Sequence, residues 1–261
     1  MTNPNTPDDP NTHMPLIEHL IELRARLIRS LAAFVVLFCG LVYFANDIYE
    51  IVSKPIRDQL PEGTTMIATD ITATFFAPFK LTMVVALFLA MPVILHQVWK
   101  FVSPGLYAHE KKVAIPMLAA SILLFYTGIA FAHFLIFPVI MNFFALSGPD
   151  SVVVTPDISQ YLSIALKLFF AFGLAFEIPI FTMLIIWSGI SSVKELAEKR
   201  RYVIVFCFVV GMFLTPPDPF SQTMLAVPMC LLFELGLLFG RMVDKAGKTE
   251  APGKELKTPE A

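Results

Sequence analysis

The sequence is poor in charge: only 15% of its 261 residues are Asp, Glu, Lys or Arg, while 56% are hydrophobic. That apolar share exceeds the roughly 45 to 50% of a soluble domain, so the chain reads as an integral membrane protein. Cysteine is scarce too. Cys39, Cys207 and Cys230 lie inside apolar runs without metal-ligand spacing, which leaves them as small core residues and gives no metal site. No phosphate-cradling glycine loop, HExxH pair or GxSxG elbow occurs, so nucleotide hydrolysis and common membrane proteolysis have no visible site. No internal repeat or inverted pair of interrupted spans stands out, which argues mildly against a secondary transporter. The chain is not expected to be an enzyme, to carry a cofactor or to bind nucleic acid.

What is present is a set of long apolar stretches. A span needs about 20 apolar residues to cross about 30 Å of hydrocarbon. Six candidates run from Leu27 to Phe44, Phe75 to Val98, Val113 to Ile140, Tyr161 to Trp187, Tyr202 to Leu214 and Ser221 to Gly240. Lipid leaves no partner for unpaired backbone groups, so the expected fold is an all-α integral membrane bundle of six transmembrane helices. Lysine and arginine fix its orientation. Arg24, Arg26, Arg29, Lys100, Lys111, Lys112, Lys194, Lys199, Arg200, Arg201 and the tail from Arg241 fall on one side, against Lys54 and Arg57 on the other. Both termini are therefore expected in the cytoplasm.

Residues 1–15, rich in Pro, Asn, Thr and Asp, suit a disordered tail rather than a signal or transit sequence, residues 16–240 the membrane domain, and residues 241–261 a second polar tail. Between the first two spans, Asn46 to Thr74 mixes apolar and charged residues and reads as a short amphipathic cap, with Pro55 and Pro61 fixing its bends. The fifth span is the anomaly. Tyr202 to Leu214 covers roughly 20 Å before a Pro-rich turn, which implies a thinned membrane edge or a docking surface, or a misassigned loop.

Polar residues on this apolar background are the candidates for function. Glu22 lies on a helical pattern entering the first span, and a carboxylate held there suits a guanidinium, which matches it with two parallel charge-assisted bonds. The plain alternative is an intrahelical pair with Arg26, four residues on. Arg24 falls on nearly the opposite side and is expected to anchor the fold or lipid phosphates. Glu110, flanked by Phe101 and Tyr107, precedes the third span, where the helix N-terminus alone also accounts for an acidic residue. Glu177 lies near midplane with Pro179 two residues on, which suggests a concave, hydrated face around a functional carboxylate, or else a protonated structural one. Lys80, Lys167 and Glu234 are closer to span ends and read as boundary residues. Gln222 opens the sixth span, either bonding across helices or capping its own.

In order, the segments Pro15-Leu-Ile-Glu-His-Leu-Ile-Glu-Leu-Arg-Ala-Arg-Leu, Phe101-Val-Ser-Pro-Gly-Leu-Tyr-Ala-His-Glu110, Phe176-Glu177-Ile-Pro179 and Thr215-Pro-Pro-Asp-Pro-Phe-Ser-Gln222 resemble the TatC family of the twin-arginine protein translocase. The resemblance covers almost the whole chain apart from the polar tails. It implies a receptor for paired-arginine signal peptides that, with TatA-like and TatB-like single-span partners, exports folded proteins across the bacterial cytoplasmic membrane using the proton-motive force. It further implies that Glu22 and Glu110 meet the paired arginines, with Arg24 and Phe101 at the same signal-peptide site, that Pro55, Glu177 and Asp218 are functional positions, and that partner helices dock near the fifth and sixth spans, where Met212, Phe213, Glu177 and Gln222 lie. A homo-oligomer within the complex and contact with membrane lipids are expected with it. The competing class is a proton- or ion-coupled transporter with Glu177 as its coupling site.

Overall fold

Long runs that are apolar on every side can satisfy their backbone groups in lipid only as helices. The computed structural model describes residues 14–57, 67, 71–102, 111–146, 157–214 and 218–249, and among these helix is the dominant structure. The expected tail at 1–13 and Pro61 lie outside the described residues.

Residues Met1–Leu60 and Thr74–Leu118 form one compact unit. In it α1 (Met14–Leu41) passes through a single tight turn, Val42–Phe44, into α2 (Ala45–Arg57), the expected amphipathic segment. Pro55 falls in the last turn of α2, and Ser53 just before it is buried. α1 already begins at Met14, so the polar stretch around Glu22 belongs to the same helix that continues as the first span. α3 (Ile71–Val102) carries Pro78 and Pro92, and the Thr82 hydroxyl donates to the Pro78 carbonyl at 2.8 Å.

The second unit holds Pro61–Ala73 and Ala119–Ala261. α4 (Lys111–Phe131) enters it, widens into a π-helical turn over Ala132–Ile136, and continues as α5 (Phe137–Leu146). Then follow α6 (Ile158–Ala175), α7 (Ile178–Trp187), the short α8 (Val193–Glu198), α9 (Arg200–Leu214) and α10 (Pro219–Thr249). Small residues let these helices close on one another. A Cβ added to Gly236 would stand 2.8 Å from Thr182 Cβ and 2.9 Å from Pro179 Cα, so α10 lies directly on α7. Ala171, Ala175, Cys207, Ala226, Met229 and Leu232 make a core shared by α6, α9 and α10, with Cys230 packed against it. Cys39, by contrast, is exposed.

Among the described residues, five helical stretches are long and apolar enough to cross a membrane: Glu18–Ser53, Thr74–Phe101, Ile115–Phe144, Ser159–Trp187 and Pro219–Met242. The stretch read as the fifth span is α9, a helix of 15 residues. At 1.5 Å per residue it reaches about 22 Å, short of the hydrocarbon thickness. α10 runs on to Thr249, past the Arg241 boundary drawn from composition, because Arg, Met and Lys there extend a helix without difficulty.

Candidate functional site

In the first unit Glu22 lies on α1 with Arg26 one turn later, on the same side of the helix. The Arg26 Nε donates to Glu22 Oε1 at 3.1 Å, and its Nη2 donates to the same oxygen. The pair is partly shielded: the side chains are 15% exposed for Arg26 and 35% for Glu22. Both bonds fall on Oε1, so the geometry differs from a fork on two oxygens and leaves Oε2 for another donor. The intrahelical pair that competed with recognition in the sequence is therefore formed. Arg24 is exposed. Phe101, in the last turn of α3, stacks on His19 with ring centroids 4.3 Å apart and planes 21° from parallel. His19 precedes Glu22 by three residues and shares its helix face. One offset-stacked pair, worth about 0.5–1.5 kcal/mol beyond burial, thus ties the Glu22 segment of α1 to the end of α3. Glu110 lies outside the described residues.

In the second unit the fourth apolar stretch is broken where Glu177 sits. α6 ends at Ala175 and α7 starts at Ile178, because Pro179 has no N–H to continue the helical ladder. Glu177 is 2% exposed. Ser121 of α4 shares a side-chain hydrogen bond with it, while Oε1 has no partner among the described residues. A buried carboxylate with one bond and one bare oxygen, at a helix break, is an exception to the pairing expected of buried polar groups.

The short end of α9 and the start of α10 hold the third group. Gln222 bonds across helices, its Nε2 donating to the Phe208 carbonyl of α9 at 2.8 Å. Asp218 caps α10: Oδ1 accepts from the Ser221 N–H at 2.7 Å, while Oδ2 and the buried Ser221 hydroxyl have no partner among the described residues. Met212 and Phe213 are exposed on α9, Phe213 by 75%. Phe143 and Phe220 stack at 4.0 Å between α5 and α10.

At the opposite end of α9, Arg200 forks onto Glu234 of α10, Nε to Oε1 at 2.7 Å and Nη2 to Oε2 at 2.8 Å. Before α8, Ser192 and Glu195 form a reciprocal capping box, and the Ser191 hydroxyl also donates to Glu195 at 2.9 Å. These bonds, the one from Ser191 first, hold the Glu195 carboxyl below its ordinary value.

Comparison with known proteins decides the family. The family model described as Sec-independent protein translocase protein (TatC) matches residues 18–228. The chain belongs to the TatC family. It is similar to the Sec-independent protein translocase protein TatC of Azotobacter chroococcum mcd 1, at 59% identity over 235 residues, 90% of this chain and 92% of that protein. It is similar to the TatC of Escherichia coli strain K12 at 54% over 234 residues, 90% and 91% of the two chains. A crystal structure described as the twin arginine translocase receptor TatC superposes with a TM-score of 0.79 at 38% identity, over 87% of this chain and 99% of that one. The fold is thus the TatC fold, all-helical and polytopic in the membrane.

The TatC match spans every candidate from Glu22 to Gln222. Sequence reasoning missed His19, which carried a signal all the same: it recurs with Glu22 and Arg26 at helical spacing on one face. It also missed Ser121 as the partner of Glu177, since the two stand on different helices.

Proposed function

We propose that this TatC-family chain is the signal-peptide receptor of a Sec-independent translocase, binding paired-arginine signal peptides and exporting folded proteins with TatA-like and TatB-like partners. Glu22 and Glu110 receive the two guanidinium groups on the cytoplasmic rim of six crossings, α9 being the short fifth. Both termini lie in the cytoplasm, and export draws on the proton-motive force. Arg24 anchors the rim to lipid phosphates. Met212, Phe213 and Gln222 offer the docking face for a partner's single helix, beside the capped turn at Asp218. Glu177 supplies a polar contact inside the membrane, Pro55 holds the outer cap, and the chain works as one of several copies.

One observation carries the reading: the stack of His19 on Phe101, which joins the Glu22 face of α1 to an aromatic residue expected at the same site. Magnitudes assign the roles. An exposed ion pair contributes about 0–1 kcal/mol and a shielded charge-assisted bond about 1.5–3, whereas micromolar affinity needs about 8. The carboxylates therefore set specificity, and burial of the peptide's apolar stretch supplies most of the affinity. In a strain lacking its own TatC, export of a reporter with a paired-arginine signal should be restored by this chain and lost with Glu22→Ala. Restored export by Glu22→Ala at the same expression level overturns the assignment.

A further inference from the structure

Lys167 is a cation within a membrane-length stretch, Ser159–Trp187. It is exposed, and among the described residues it enters no ion pair. With Ser159, Gln160, Ser163 and Ile164 it lines a groove of about 270 Å³ on α6. These residues precede Lys167 by three to eight positions, as expected when a helical side chain leans toward the N-terminus of its helix. The ammonium is thereby carried back along the groove toward Gln160.

The depth is informative. The stretch of 29 residues follows about 43 Å of helix axis, broken at Glu177, against about 30 Å of hydrocarbon, so a centred stretch projects at most roughly 6 Å at each end. Lys167 lies eight residues, about 12 Å, beyond Ser159, which puts its backbone about 6 Å inside the hydrocarbon boundary. An extended lysine spans about that distance, so its ammonium reaches the hydrocarbon boundary, at the inner edge of the headgroup layer.

The groove is also built from donors. Asp157, the N-cap of α6, is engaged through Oδ1 by the Ser159 and Gln160 N–H groups at 2.8 and 3.0 Å. The Ser163 hydroxyl is spent on the Ser159 carbonyl at 2.6 Å. Among the described residues, the groups left to face a ligand are the Lys167 ammonium, the Gln160 amide and the Ser159 hydroxyl, beside the apolar wall of Ile164. We propose that this groove binds the headgroup phosphate of an anionic phospholipid, which anchors the start of α6 in the membrane.

The test uses the purified full-length chain, exchanged from vesicles of phosphatidylethanolamine and phosphatidylglycerol into a mild detergent, with retained lipids counted by native mass spectrometry. Wild type should retain one phosphatidylglycerol that Lys167→Leu retains about fivefold less, the ~1 kcal/mol of one cation near a membrane surface. Lys167→Arg should restore it, and inorganic phosphate should not displace it. Equal retention by wild type and Lys167→Leu, or displacement by inorganic phosphate, overturns the proposal. So does a carbodiimide crosslink from Lys167 to a protein carboxylate in native membranes, which assigns the groove to an acidic side chain of a neighbouring helix.

Discussion

Arg26 occupies one of the two Glu22 oxygens that a forked arginine needs, and its removal should strengthen peptide binding. The Arg26 Nε and Nη2 both end on Oε1, and the two side chains are 15% and 35% exposed. An exposed pair at this spacing contributes about 0.3–0.5 kcal/mol and a shielded charged hydrogen bond about 1.5, so displacing Arg26 costs between these limits. Arg26→Gln removes that cost and one like charge beside the peptide's arginines, and affinity should rise about two- to tenfold. Arg26→Lys, which keeps the charge and loses the paired donors, should give a smaller gain. Titration of a labelled paired-arginine peptide into the purified chain in nanodiscs measures this. A double-mutant cycle adds the control, since in a Glu22→Gln background the Arg26→Gln effect should vanish. Unchanged or weaker binding by Arg26→Gln, or the same effect in both backgrounds, refutes the exchange of one guanidinium for another at Glu22.

Other outcomes follow from packing and charge. Gly128→Ala should lower thermal stability by ~1–3 kcal/mol, because its Cβ would overlap the Phe172 carbonyl, whereas Gly40→Ala, with nothing within 4 Å, should be neutral or slightly stabilising; melting in one detergent compares them. Ser192→Ala should reduce amide protection in α8 about fivefold by hydrogen exchange, through loss of the cap. The Glu195 carboxyl is held below its ordinary value, so its contribution is complete above pH 4.5 and fades as pH falls through the lower folded value. Glu195→Gln, which can still close the capping box, should keep α8 protection and flatten that acid dependence.

Much of the fold was legible because lipid simplifies it. Apolar runs locate the long helices, and Pro179 marks the break beside Glu177 that the structure shows between α6 and α7. The short α9 was legible as well, since Pro216 and Pro217 interrupt the apolar run just past Leu214. The π-helical turn at Ala132–Ile136 was not, for nothing in its residues distinguishes it from ordinary helix. Contacts between distant helices were hidden for a related reason. Glu234 read as a lone boundary carboxylate, yet α9 and α10 bring it a fork from Arg200. Gln222 left two options open, and only the packing of α10 against α9 selects the Phe208 carbonyl. At the candidate site the Glu22–Arg26 pair follows from local spacing, whereas the stack of His19 on Phe101 needs the ends of α1 and α3 to meet.

If Glu22 and Glu110 read the paired arginines, site-specific photocrosslinking of such a peptide to the purified chain will depend on both carboxylates. Crosslinking to the rim should be strong in wild type, fall about tenfold or more with Glu22→Gln and again with Glu110→Gln, and fall likewise when one peptide arginine becomes lysine. Crosslinking that persists unchanged in the Glu22→Gln, Glu110→Gln double variant shows that these carboxylates do not read the paired arginines.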